Sequence, residues 1–249
     1  MSLPRATGFR LALAGFAPVL LAVALIASAL PLVVAASARA ADTAPGVAVL
    51  DAYLRMRAYG RLFDALQDVP RPVRVAWLQR RVVEGESGTL ARVLARDLLA
   101  ESRLLPPAEA QEARLIAAKV VLYAWAVMQI DGEACRDASS PGDIVHSTRV
   151  EFRTLLEWLN EKPSSTRQAL VADVLALEAE TAPRRRDDLF LCRRGRISYS
   201  PCGSEPVSAN CLRNIRTASR YFLPAEMTAP LRARMRLRVQ EALDRFAAP

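Results

Sequence analysis

The sequence predicts an all-α protein, a single irregular helical bundle around one buried central helix. Three observations predict it. Apolar residues recur at three- and four-residue spacing through most of the chain. No stretch alternates apolar and polar residues with the strand period between turn residues. Prolines fall at the ends of the periodic segments or between them rather than in their middles. No fixed internal period appears, which argues against a regular solenoid.

The N-terminus stands apart from the bundle. Arg5 and Arg10 precede a run from Leu11 to Ala38 that holds no charged residue, followed by small residues at Ala36, Ala38 and Ala40. A basic n-region, an apolar run and a small-x-small pattern predict an export signal in residues 1–40, cut before Ala41 or, as the second choice, after Ala38. The run also reaches the roughly 20 residues that span a bilayer, so an uncleaved inner-membrane anchor over 11–38 is the competing expectation. Both place residues 41–249, read as one helical domain, on the far side of the membrane in a periplasmic or secreted location.

Within that domain, Leu50, Leu54, Ala58, Leu62 and Leu66 fall four apart and predict a helix from Val47 to about Gln67, ended by the prolines at 70 and 72. Pro72 suits a first turn, and Val73, Trp77, Leu78 and Val82 continue a second helix to Gly85. Ser87 or Thr89 can cap a third, striped by Leu90, Val93, Leu94, Leu98 and Leu105. The most apolar element follows, at about 108–130. Its sixteen residues Leu115–Ile130 carry one charge, Lys119, and rise about 24 Å, short for a membrane span. A helix apolar on all sides is surrounded by other helices, which makes this one the centre of the bundle.

Asp143 is expected to cap the next helix, which carries Ile144, Phe152, Leu155, Leu156 and Leu159 up to Pro163. Ser164, Ser165 and Thr166 open another, with Leu170, Val174 and Leu177 inward. A further helix is expected from about Val207 to Phe222, carrying Arg213, Arg216 and Arg220. After Pro230, Leu231, Met235, Val239, Ala242 and Phe246 make a narrow stripe, flanked by Arg234, Arg238 and Arg245 on one side and Arg232 and Arg236 on the other. The same residues also alternate with period two. Proline at the first turn, good helix formers and no partner strand favour the helix. The count comes to seven or eight helices in the domain.

All but Lys119 and Lys162 of the 34 basic residues are arginine, and the formal net charge is +8. The charge is unevenly placed. From Asp42 to Glu180 twenty acids face seventeen bases, whereas from Thr181 to Pro249 fourteen arginines face six acids. Residues 181–249 therefore form an arginine-rich arm suited to polyanions. For an exported chain the expected partner is an anionic lipid, an envelope polymer or an envelope protein, and not nucleic acid. Arg232, Arg234, Arg236 and Arg238 are the candidate contacts, on a helix whose apolar stripe edged by arginines also matches an interfacial helix.

Four cysteines in an exported protein predict two disulfides, Cys135 with Cys192 and Cys202 with Cys211. In the chain-entropy picture the long loop contributes about 4 kcal/mol and the short one about 3. No metal or cofactor is expected. The cysteines lack C-x-x-C spacing, His146 is the only histidine, and no glycine-rich phosphate loop or nucleophile elbow is present. The missing constellations favour a non-catalytic binding or structural module of the cell envelope. The alternative is a hydrolase-type envelope enzyme using helix carboxylates, such as Glu84 with Glu86 or Glu178 with Glu180, together with Lys119 as a desolvated amine. Lys119 can instead lead its ammonium to the helix edge, toward Glu112. Two blocks, GEACRD at 132–137 and ALEAETAPRRRDDLFLC at 176–192, read as organised units rather than generic helix.

Overall fold

The computed structural model describes residues 46–193 and 221–248. The expected signal or anchor, the Cys202–Cys211 bridge and all but the last two residues of the helix expected over 207–222 lie outside these residues, and those two, Tyr221 and Phe222, are not helical. Among the described residues the chain is helical, with no strand and one isolated antiparallel bridge.

The expected first helix divides in two, α1 (Val47–Arg55) and α2 (Tyr59–Asp68). Between them Arg57 takes φ 53°, a left-handed conformation that side chains other than glycine adopt at a cost and that cannot continue a right-handed helix. Leu50, Leu54, Leu62 and Leu66 are all buried, so the stripe is preserved across the break.

Helix α3 (Arg71–Val83) carries its proline in the first turn as expected. Two polar contacts fix it to its neighbours. Trp77 Nε1 and Arg81 Nη2 both donate to Asp51 of α1, at 2.7 and 2.6 Å. Arg74 grips Asp97 of α4 with a two-pronged pair at 2.6 and 2.7 Å, nine-tenths removed from solvent. Helix α4 (Gly88–Ser102) starts at Ser87, whose hydroxyl accepts from the Leu90 N–H. Its first residue must be glycine: a Cβ at Gly88 would lie 2.8 Å from Met128 Cγ and 3.1 Å from the Ala124 carbonyl oxygen of the central helix.

That central helix is α5 (Pro107–Gly132), close to the expected 108–130. Ala117, Ala118, Tyr123, Ala124, Ala126, Val127, Met128 and Ile130 have essentially no exposed surface. Among the described residues it is the one helix long and apolar enough to cross a membrane, and the bundle buries most of that apolar window. Small side chains at 117, 118, 124 and 126 let α4 approach closely, and α8, α10, α6 and α7 close the remaining sides.

The second half departs from expectation in its boundaries. Asp143 is not a cap. Helix α6 (Ser140–Glu151) begins three residues earlier, and Asp137 serves the turn before it by accepting from Ser139 N and Oγ. The helix expected to run on to Pro163 breaks at Phe152, which turns its fully buried ring into the core, and resumes as α7 (Arg153–Asn160). Helix α8 (Ser164–Thr181) follows Pro163 with no side-chain cap from its serines. A 3-10 turn (Ala182–Arg184) and the short α9 (Leu189–Cys192) lead to the disulfide, and α10 (Ala225–Ala247) closes the described chain. Helix α10 starts five residues before Pro230, which therefore sits inside it. The described residues thus hold ten helices, more than expected, because two predicted helices are each broken once and no helix is expected at α9.

Candidate functional site

The two blocks singled out in the sequence meet. Cys135 and Cys192 form a disulfide across 57 residues, and Ser140 Oγ donates to the Leu191 carbonyl at 2.6 Å beside it. Cys135 also forms the isolated bridge with Phe222, closed by Arg136 N–H to Tyr221 O at 2.9 Å and Leu223 N–H to Ala134 O at 2.8 Å. One loop therefore anchors both α9 and the start of the segment that leads into α10.

Next to this anchor lies a buried ionic network joining α5, α8, the 180–188 turn and α10. Glu178 is 2 % exposed although it carries a charge. It accepts from Arg185 Nη2 at 2.7 Å and from Arg236 Nε and Nη2 at 2.9 and 3.0 Å. Burial alone would raise its pKa, but the hydrogen bonds from Arg236 and Arg185 outweigh burial and hold it below the usual carboxylate range. Asp131, at the last turn of α5, is equally buried yet poorly served. Its Oδ2 approaches Arg185 Nε at 3.3 Å without hydrogen-bond geometry, and its Oδ1 lies 3.6 Å from Arg232 Nε. Burial therefore dominates and pushes Asp131 up to about 6, against the opposing pull of Arg185 and Arg232. Arg232 completes the set with a 2.7 Å contact to Asp187. Three arginines face three carboxylates, so the network is formally neutral.

Hydroxyls extend it inward. Thr181 gives its proton to the Leu177 carbonyl at 2.9 Å, so the contact at 2.9 Å with Tyr123 is a bond donated by Tyr123. Asp188 caps α9 by accepting from Leu191 N–H and also receives Thr89 Oγ1 at 2.9 Å. Burial raises its pKa even so. The arrangement can lock helices together. It holds no histidine and no nucleophile, and every carboxylate in it faces an arginine or a capping donor.

The four arginines named from the sequence divide two and two. Arg232 and Arg236 lie on the same helical stripe as Val239 and Leu243 and turn inward to the network. Arg234 and Arg238 are exposed, and Arg245, seven residues after Arg238, lies on their edge of α10. None of these three has an ion-pair partner among the described residues. Beside them Leu237 is 63 % exposed and Met227 50 %.

The other candidates stay apart. Lys119 pairs with Asp173 of α8 at 2.8 Å, not with Glu112, and keeps about a third of its surface in solvent. His146 is exposed. Glu84 and Glu180 pair locally with Arg81 and Arg184 on the surface, and Glu86 lies 3.8 Å from Arg186. Among the described residues no group of histidine, cysteine and acidic side chains could hold a metal.

Sequence reasoning missed Asp131 and Arg185, and named Glu178 only as a surface carboxylate beside Glu180, not as a buried partner of arginines. The signal was present for Glu178 and Thr181, which continue the inward stripe of Leu170 and Val174 at helical spacing. A charge at a core position asks for a buried partner, and the run of arginines at 184–186 supplies it. No protein-family model matches the chain, and no curated protein or solved structure matches it significantly.

Proposed function

We propose that this chain is a non-catalytic helical module of the cell envelope that docks on an anionic lipid surface through the outward edge of α10. The single observation that carries the reading is the division of the α10 arginines. Arg232 and Arg236 are neutralised inside the bundle and hold the helix rigid, while Arg234, Arg238 and Arg245 form an unpaired exposed edge with Leu237 and Met227. A rigid helix that presents arginines beside exposed apolar side chains suits contact with lipid headgroups. Each arginine near an anionic surface contributes about 1 kcal/mol, so three amount to roughly a hundredfold in affinity. The export signal read in residues 1–40 and the disulfide both agree with an oxidising compartment outside the cytoplasm. Lys119, paired and solvent-accessible, is not the desolvated amine that the enzyme reading requires.

The test is sedimentation of the full chain with vesicles. Binding to vesicles rich in phosphatidylglycerol, weakened by salt and absent with purely zwitterionic vesicles, is the expected outcome. Equal binding to both kinds of vesicle would overturn the reading.

A further inference from the structure

A cavity of about 450 Å³ lies between α2, α4, α6 and α9, and nothing in the reading of α10 depends on it. Its apolar lining is Phe63, Leu66, Val93, Ile144 and Phe190, of which Leu66 and Ile144 are buried, and the Phe63 and Phe190 rings meet edge to face at 5.0 Å. The volume is about three times the roughly 150 Å³ that holds a benzene ring and falls in the range of small-molecule sites. Phe190 stands two residues before Cys192, so the disulfide to Cys135 holds that wall in place.

The polar lining is asymmetric. Asp143, Ser147 and Glu151 recur four apart along α6, and Arg92 and Arg96 four apart along α4. Toward the C-terminal ends of the two helices, Arg92 donates to Ser147 and Glu151, and Arg96 Nε donates to the same Glu151. Two guanidinium groups thus share one carboxylate, which leaves one positive charge in excess. Asp97, next to Arg96, does not cancel it, since Arg74 already holds that carboxylate. The terminal nitrogens of Arg96 have no acceptor among the described residues.

Toward the N-terminal ends, α4 has no cation to offer. The residue that borders the cavity one turn before Arg92 is Thr89, whose hydroxyl is given to Asp188. Asp143 therefore borders the cavity with no ion pair and no hydrogen-bond donor among the described residues. The amide of Gln67, also at the cavity, has no partner among them either.

An apolar cavity with an unmatched carboxylate at one end and an unmatched guanidinium edge at the other is complementary to an apolar zwitterion. The spacing selects its length. Asp143 and Glu151 are eight residues apart, about 12 Å along α6, so Arg96, held at Glu151, stands well away from Asp143. The two charges of a free α-amino acid are too close together to reach both, whereas two or three extended residues span about 7–11 Å. We infer that the cavity binds a short apolar peptide with free termini. Its ammonium sits at Asp143, its carboxylate at the free edge of Arg96, and an apolar side chain lies against Phe63 and Phe190. Gln67 serves a peptide group between the ends.

Titration calorimetry on the full chain at pH 7.5 tests this with alanyl-phenylalanyl-alanine, its N-acetyl and C-terminal amide derivatives, triglycine and free phenylalanine. Saturable binding of the free tripeptide is expected. Either blocking group, loss of the apolar side chains, or shortening to phenylalanine should weaken it at least ~10-fold. Two variants assign the ends. Asp143→Asn should weaken the free tripeptide at least ~10-fold and leave the affinity of the N-acetyl form, which carries no ammonium, unchanged. Arg96→Gln should weaken the free tripeptide likewise and leave that of the amide unchanged. Glu151 keeps Arg92 in that variant, so α4 and α6 stay joined. Both positions are exposed, and Tm values matching wild type confirm that the variants fold. No saturable heat with the free tripeptide at about 10 mM, blocked peptides binding as tightly as the free one, phenylalanine matching the tripeptide, or unchanged affinity in either folded variant would overturn the inference.

Discussion

Replacing Glu178 by glutamine isolates the ionic lock. The carboxylate sits between Arg185 and Arg236 with three contacts of 2.7, 2.9 and 3.0 Å. Glutamine has nearly the same shape and its carbonyl can keep accepting, so the change removes charge rather than volume. It leaves Arg185, 4 % exposed, with only the imperfectly placed Asp131 as counter-ion. Uncompensated buried charge of this kind costs about 3–5 kcal/mol, which for a domain of this size lowers Tm by roughly 10 °C. The pH dependence supplies a second signature. The folded-state pKa of Glu178 is depressed, so its contribution is present above the unfolded carboxylate range and is lost as pH falls through the lower folded value. Urea melts of wild type and Glu178→Gln should therefore differ widely at pH 7 and converge toward pH 3. A difference under about 1 kcal/mol at pH 7, or one that does not shrink in acid, would refute the claim that this network holds α10 in place.

Three further outcomes are expected. Asp131 has the opposite sign: its folded pKa of about 6 lies above its ordinary 3.8, so the native state binds the extra proton and loses stability as pH rises between those values, by up to ~3 kcal/mol. Asp131→Asn should thus gain stability relative to wild type between pH 4 and 7 in parallel urea melts, and a flat difference would contradict the burial argument. Reducing Cys135–Cys192 removes a 57-residue loop constraint and should lower stability by about 4 kcal/mol in denaturant melts with and without reductant. Lys119→Met should change stability by less than about 1 kcal/mol, since its pair with Asp173 is open to solvent; a larger loss in thermal melts would show a role the geometry does not give it.

The parts of the fold legible in the sequence are those governed by long apolar periodicity. The central helix was readable because sixteen residues carry a single charge, and the start of α4 because Ser87 and Thr89 both offer a hydroxyl cap there, of which the structure uses Ser87. The breaks at Arg57 and Phe152 were not, since in both places the apolar stripe continues across the turn and tertiary packing alone sets the kink. The lock was half legible. Cys135 and Cys192 could be paired from the expectation of export and from the way the bridge ties the loop after the central helix to the end of DDLFLC, and the two dense blocks that hold them were visible as units. That Arg232 and Arg236 turn inward while Arg234 and Arg238 turn out follows from the helix period only once Glu178 and Asp131 are known to wait on the facing surface. A charge inside an apolar stripe was the overlooked clue.

The division of the arginines is the claim on which the account rests, and one comparison tests it most directly. Arg234→Gln/Arg238→Gln/Arg245→Gln and a control triple, Arg71→Gln/Arg103→Gln/Arg153→Gln, remove the same net charge from exposed positions on different faces. Affinity for phosphatidylglycerol vesicles, measured on both full-length variants, should fall by roughly a hundredfold for the α10 triple and little for the control, with Tm unchanged in both. Equal losses in the two variants would show that net charge alone drives binding and would contradict a dedicated edge on α10.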